Sequence, residues 1–189
     1  MKLKTISILV LALLFASAVR GHAFGWALVN AKIRSEFPDV RRITTAELAA
    51  WLNDSSRPAP RLLDVRTRAE FDVSHLHGAK HVDPDAAAAS VGGAKDQPIV
   101  TYCSVGYRSG AFAKKLGDAG YTNVTNLEGS IFRWANEDRP LLAGGRAADK
   151  VHPYNRTWGM LLKRQHRATV PPADEQPRAA GSGSDSTNR

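Results

Sequence analysis

Hydrophobic positions along this chain change period several times, and each change marks an element. Trp26, Val29, Ile33 and Phe37 recur at spacings of three and four, which puts them on one face of a short helix that Pro38 ends. From Val40 the pattern alternates and predicts a strand over 40–43. Thr44 and Glu47 then stand in the capping-box relation, ahead of a helix carrying Leu48 and Leu52 one turn apart. The run Leu62-Leu63-Asp64-Val65 reads as a second strand, and another capping box, Thr67 with Glu70, opens a short helix directly after it. Residues 79–82 predict a short strand. Pro84 suits the first turn of a helix through the alanines at 86–89, which Gly92-Gly93 ends. Residues 98–102 form an apolar strand that stops at Cys103, 109–119 a helix with Gly120 at its carboxyl end, and the last strand lies near 123–127.

Short strands alternating with helices predict an α/β fold, a single domain over 40–142 with a central parallel β-sheet flanked by helices on both faces. At 189 residues the chain has room for one sizeable core and little space for a second. In such sheets ligands bind at the carboxyl ends of strands, and Cys103 sits at such an end. Residues 19–39 carry the leading amphipathic helix. Residues 143–167 are a basic extension with aromatic side chains, and the Pro, Gly, Ser and Ala content of 168–189 predicts a disordered tail.

The amino-terminal end departs from this pattern. Lys2 and Lys4 precede an apolar run over 5–19, and no acidic residue occurs before Glu36. Residues 1–18 are therefore expected to be a signal peptide cleaved near Ala16-Ser17-Ala18, with the mature protein exported, to the periplasm in a bacterium, and out of contact with the membrane. The run would reach only about 22 Å as a helix, against a bilayer core of roughly 30 Å, which disfavours the alternative of an uncleaved anchor. The formal charge of +8 is spread along the chain, without a basic stripe interleaved with stacking aromatics, so nucleic acid is not an expected partner. With 43% hydrophobic and 23% charged residues, the composition excludes wholesale disorder and a membrane bundle.

Cysteine use narrows the chemistry. Cys103 is the only cysteine, so no internal disulfide can form, and a lone thiol in an oxidising compartment is either inert in the core or kept for its reactivity. The segment Cys103-Ser104-Val105-Gly106-Tyr107-Arg108-Ser109 links a strand to a helix, so its amides can curl around whatever the sulfur carries. Such a ring of donors lowers a thiol pKa and stabilises an anion. Gly106 permits the curl, and Arg108 adds a permanent charge with a planar fork for an oxyanion, which makes it the expected substrate orienter. Asp64 reads as a hydrogen-bonded carboxylate supporting the loop from beneath, with Arg66 paired to it or to Glu70. His75, His77 and His81 lack the spacing and the carboxylate or thiolate partners of a zinc site, so neither metal nor cofactor is expected.

The ordered set of Leu63-Asp64-Val65-Arg66, Glu70-Phe71, His75-Leu76-His77-Gly78-Ala79, Ile99 to Cys103 with its loop, Gly120-Tyr121, Leu127-Glu128-Gly129-Ser130 and Trp134 resembles the rhodanese-like domain family. The one local departure is His77, where members commonly carry proline. The resemblance implies a catalytic cysteine at Cys103 and ping-pong sulfur transfer. In that scheme a small sulfur-containing anion such as thiosulfate gives its outer sulfur to the thiolate, and the persulfide passes it to cyanide or a thiol. Two rivals stand beside it. One is a persulfide carrier without free turnover, docking a protein partner through residues 152–163, although a strap packed on the domain is the plainer reading of that stretch. The other is a phosphatase on the same fold, against which Cys103 to Arg108 is one residue short and Tyr102 stands where a histidine is usual.

Overall fold

The structure, a computed structural model, describes residues 23–169. The expected signal peptide and the tail from residue 170 lie outside the described residues. In chain order the elements are α1 (23–36), β1 (Arg41–Ile43), α2 (Thr45–Asn53), β2 (Arg61–Asp64), α3 (Arg68–Val73), β3 (Lys80–His81), β4 (Ile99–Tyr102), α4 (Tyr107–Asp118), β5 (Val124–Leu127), α5 (Ser130–Asn136), β6 (Leu141–Ala143), β7 (Arg146–Ala148) and α6 (Arg156–Gly159). Five strands form one parallel sheet in the order β1-β5-β4-β2-β3, and β6 pairs antiparallel with β7.

Alternation along the strands divides the core into two layers. Leu62, Val100, Tyr102 and Leu127 face α2 and α5 with Leu48, Ile131, Phe132 and Trp134. Leu63, Ile99 and Val124 face α4 with Phe112, Ala113 and Leu116, beside the 3₁₀ turn Ala88–Val91. The sheet is thus covered on both faces. β4 is buried along its whole length, and it is the middle strand, so the residue after it leaves the sheet at its centre.

Both capping boxes form. Thr44 accepts the Glu47 amide and Thr67 accepts the Glu70 amide, and each glutamate returns a bond to the cap amide. α1 lays Trp26, Ile33 and Phe37 against the domain. Its docking depends on Gly110 in α4: a Cβ there would lie 2.8 Å from the Phe37 ring.

Two expectations need correction. The alanine stretch is not an α-helix over 86–89 but a turn followed by the 3₁₀ segment Ala88–Val91, held by i to i+3 bonds such as Ser90 N–H to the Ala87 carbonyl. α4 starts at Tyr107, two residues earlier than 109, because Gly106 at φ 113° already turns the chain into the helix, so Tyr107 and Arg108 belong to its first turn. Beyond α5, β6 and β7 make a hairpin, and β6 is tied to the main domain by mutual backbone bonds of 2.8 and 2.9 Å between His75 and Leu142.

The basic extension packs as a strap. Val151, Leu161 and Leu162 are buried in the same core layer as α5. The Val151 amide donates to the His166 carbonyl at 2.7 Å and the Ala168 amide to the Val151 carbonyl at 3.0 Å, so the stretch between them leaves and returns at one point. Asn136 fixes its far side, donating to the Leu161 carbonyl at 2.8 Å and accepting the Lys163 amide at 2.7 Å.

Candidate active site

Cys103 follows the central strand directly, and its surroundings are built by α5 from behind and α4 from in front. The Cys103 amide donates to the Ser130 hydroxyl at 3.1 Å. The carbonyls of Cys103 and Ser104 accept the Ile131 and Phe132 amides, in the first turn of α5, at 3.2 and 3.1 Å. With those carbonyls drawn toward α5, the chain is free to close over the sulfur, and the Gly106 amide reaches Sγ at 3.2 Å. Gly106 has little alternative. At φ 113°, a Cβ would be strained and would stand 3.3 Å from Ile33 of α1 and 3.5 Å from the Leu127 carbonyl.

Cys103 is 1% exposed. Burial is the largest single influence on the thiol pKa and raises it, yet the Arg108 charge and hydrogen bonds from Ser109 and Gly106 together outweigh burial and hold the thiol below its ordinary value. The Ser109 hydroxyl has one proton, which goes to Asn126 Oδ1 at 2.7 Å, while Asn126 Nδ2 donates to the Gly106 carbonyl at 2.9 Å. Ser109 therefore serves the sulfur through its amide, and Asn126 of β5 pins the loop at both ends.

Arg108 is held more firmly than a free orienter would be. Its Nη1 and Nη2 donate to the Glu70 carboxylate at 2.9 and 2.7 Å, and Nη2 also reaches the Ser104 hydroxyl at 3.0 Å. The Ser104 hydroxyl in turn donates to Glu70 at 2.9 Å. The guanidinium thus supplies charge to the sulfur from a fixed seat, and only 25% of its side chain is exposed. Glu70, read from the sequence as a cap residue, fills both posts. Burial pushes its carboxyl up, but the Arg108 bonds and charge, with Arg66 and the Thr67 amide, bring it down to about 2.

Asp64 and Arg66 pair with each other in full burial, Nη2 to Oδ2 at 2.6 Å, which resolves the choice the sequence leaves open. Arg66 also donates to the Ser74 carbonyl at 2.6 Å, and its own carbonyl bonds the His81 ring at 2.9 Å. His75 stacks flat on Phe71 at 3.9 Å, and its Nδ1 lies 3.1 Å from the Phe71 carbonyl. Among the described residues no three His, Cys, Asp or Glu side chains gather as a metal site.

Cys103, Ser104, Val105, Tyr107 and Arg108 line a cavity of about 100 Å³, and the strap adds Tyr154 and Trp158 to its walls. The Tyr154 ring lies 4.7 Å from the Arg108 guanidinium. Sequence reasoning picks out the cysteine, the loop and the supporting pair. It misses Ser130, Asn126 and the active-site role of Glu70, and it leaves the aromatic pair outside the site. An asparagine in the short strand Val124–Leu127, between Val124 and Leu127 of the core, is the one signal that was available.

Comparison with known proteins agrees with this geometry. Residues 44–137 match the model of the rhodanese-like domain. The chain is 34% identical over 101 residues to the probable adenylyltransferase/sulfurtransferase MoeZ of Mycobacterium tuberculosis, covering 52% of this chain and 25% of that protein. It is 31% identical over 77 residues to the YqhL protein of Bacillus subtilis, covering 40% of this chain and 61% of the relative. The chain thus spans about a quarter of the mycobacterial relative's length. Among solved structures, thiosulfate sulfurtransferase from Pseudomonas aeruginosa superposes with a TM-score of 0.53 at 20% identity, over 68% of this chain and 24% of that one, a likeness of fold. This chain is therefore built on a rhodanese-like domain, residues 44–137, with a leading helix before it and a roofing strap after it.

Proposed function

We propose that the protein is a sulfurtransferase in which Cys103 carries sulfane sulfur as a persulfide. The thiolate attacks the outer sulfur of a small anionic donor such as thiosulfate. A new sulfur–sulfur bond forms at Cys103, the donor's sulfur–sulfur bond breaks, and its electron pair leaves on sulfite. In the second half, cyanide or a thiolate attacks the outer sulfur of the persulfide, and the Cys103 thiolate is the leaving group. Charge and atoms balance in both halves without a cofactor or a metal.

The observation that carries this reading is a thiol held below its ordinary pKa at the mouth of the central strand, with the Gly106 amide on Sγ and a cavity sized for a small ligand. A cavity of about 100 Å³ beside the sulfur has room for a small anion such as thiosulfate. The sulfurtransferase named in the mycobacterial relative supports the same chemistry. The six-residue span from Cys103 to Arg108 and the seating of that arginine on Glu70 favour sulfur over phosphate, which needs a wider ring and a free guanidinium.

Intact-protein mass spectrometry after incubation with thiosulfate tests this. One added sulfur atom is expected, lost again on exposure to cyanide and never seen on Cys103→Ser. Added sulfur on the serine variant, or none on the wild type with any sulfane donor, defeats the proposal.

A further inference from the structure

The strap over 149–168 lies beyond the residues that match the family, yet two of its side chains form part of the cavity that holds the reactive sulfur. Its course is fixed from three directions. The backbone bonds of Val151 to His166 and Ala168 close its base, Leu161 and Leu162 anchor it in the core, and both arms of the Asn136 amide grip its return. Within this frame, burial keeps His152 below its ordinary pKa and so neutral at Nδ1, which accepts the Tyr154 amide at 3.0 Å. The Asn155 side chain accepts the Trp158 amide at 2.9 Å and caps the turn that carries the indole.

Tyr154 itself adopts φ 64°, a left-handed conformation that is costly for an aromatic residue. That conformation accompanies a ring standing over the Arg108 guanidinium at 4.7 Å. Trp158 has a second side. With Tyr107 it also lines an apolar groove of about 420 Å³, whose other walls are Leu28, Val29, Lys32 and Ile33 of α1. Tyr107 and Trp158 are common to the two spaces, one of about 100 Å³ at the sulfur and the other about four times larger and lined almost wholly by carbon.

We infer that Tyr154 and Trp158 determine substrate size at Cys103, admitting small anionic sulfane donors and excluding those with an aryl or peptide body. This rests on the sulfurtransferase reading. Trp158 acts as a partition: with the indole in place, a donor has only the small cavity, and with it trimmed, the cavity and the apolar groove become one space. Tyr154 closes the opposite wall while shielding the Arg108 charge from bulk water, which strengthens the field on a bound anion. Neither residue takes part in bond making or breaking. Their contribution is to selectivity.

The test compares thiosulfate with benzenethiosulfonate, a sulfane donor carrying a phenyl ring, by kcat/KM with cyanide as acceptor. The full chain is measured as wild type, Trp158→Ala, Trp158→Phe and Tyr154→Leu, each confirmed as folded by its thermal melt. The ratio of kcat/KM for the aryl donor to that for thiosulfate is expected to rise by about tenfold or more in Trp158→Ala, the range that a fit of this kind commands. Trp158→Phe, which keeps an aromatic wall, should move the ratio far less, and Tyr154→Leu should also raise it. If Trp158→Ala does not fold, Trp158→Phe and Tyr154→Leu carry the comparison. A ratio unchanged across the folded variants overturns the inference while leaving sulfur transfer intact. A wild type that accepts sulfur from neither donor, nor from any other sulfane donor, overturns the sulfurtransferase reading, and this one with it.

Discussion

Replacing Glu70 by glutamine keeps the shape of the side chain and removes its charge, which isolates what that carboxylate does. In the folded chain it accepts two bonds from Arg108, one from the Ser104 hydroxyl and one from the Thr67 amide, all between 2.7 and 3.0 Å. Glutamine offers one acceptor oxygen and an NH₂ that meets Arg108 donor against donor. Glu70 sits at about 2 in the fold against an ordinary 4.5, and at about 1.36 kcal/mol per unit the ionised form contributes about 3 kcal/mol. The folded value is the lower one, so this stability is complete above pH 4.5 and is lost as pH falls through about 2. In urea at pH 7, Glu70→Gln should therefore be about 3 kcal/mol less stable than wild type, with the gap narrowing between pH 4.5 and 2. The same change leaves the Arg108 charge unshared beside the sulfur, so alkylation of Cys103 by iodoacetamide should titrate at lower pH than in wild type. Equal stabilities at pH 7, or a gap that stays constant down to pH 2, would show that the carboxylate is not the seat of Arg108.

Three other outcomes follow from the packing. Asp64→Asn leaves Arg66 charged and unpaired in full burial, and should cost about 3–5 kcal/mol in urea unfolding. Gly110→Ala adds a Cβ at 2.8 Å from the Phe37 ring; overpacking of about 1–3 kcal/mol exceeds the helix-propensity gain of about 1 kcal/mol, so the melting temperature should fall, and a rise would contradict the docking of α1. Asn136→Ala removes both bonds that hold the far side of the strap and should lower stability by about 2 kcal/mol, with limited proteolysis speeding up between 152 and 163 and not elsewhere.

The sequence carried the frame because its signals are local. Thr44 with Glu47 and Thr67 with Glu70 start helices through bonds three residues long, and such bonds can be read off a window. The apolar run from Leu62 to Val65, and the one that ends on Cys103, likewise placed the sheet and the nucleophile. Contacts that are local only in space stayed hidden. Glu70 meets Arg108 across 38 residues, Cys103 meets Ser130 across 27, and nothing in either neighbourhood names the other. The alanine stretch misled for a different reason: high helix propensity at 86–89 lost to a tight turn beginning at Asp83 and to Gly92 at φ 60°. The strap was legible as basic and aromatic, but its place over the sulfur depends on Asn136, which lies in α5, and on the pairing of Val151 with His166 and Ala168, which no local window shows.

Because the strap departs and returns at Val151, its outer arc from 153 to 160 belongs to no strand of the sheet and meets the scaffold through side chains such as Tyr154 and Trp158. Exchanging that arc, with Leu161 and Leu162 retained as its footing, would alter which molecules gain entry without disturbing a single strand of the sheet. A catalytic frame and its doorkeeper are encoded here in consecutive stretches of one chain, so each can vary at its own pace.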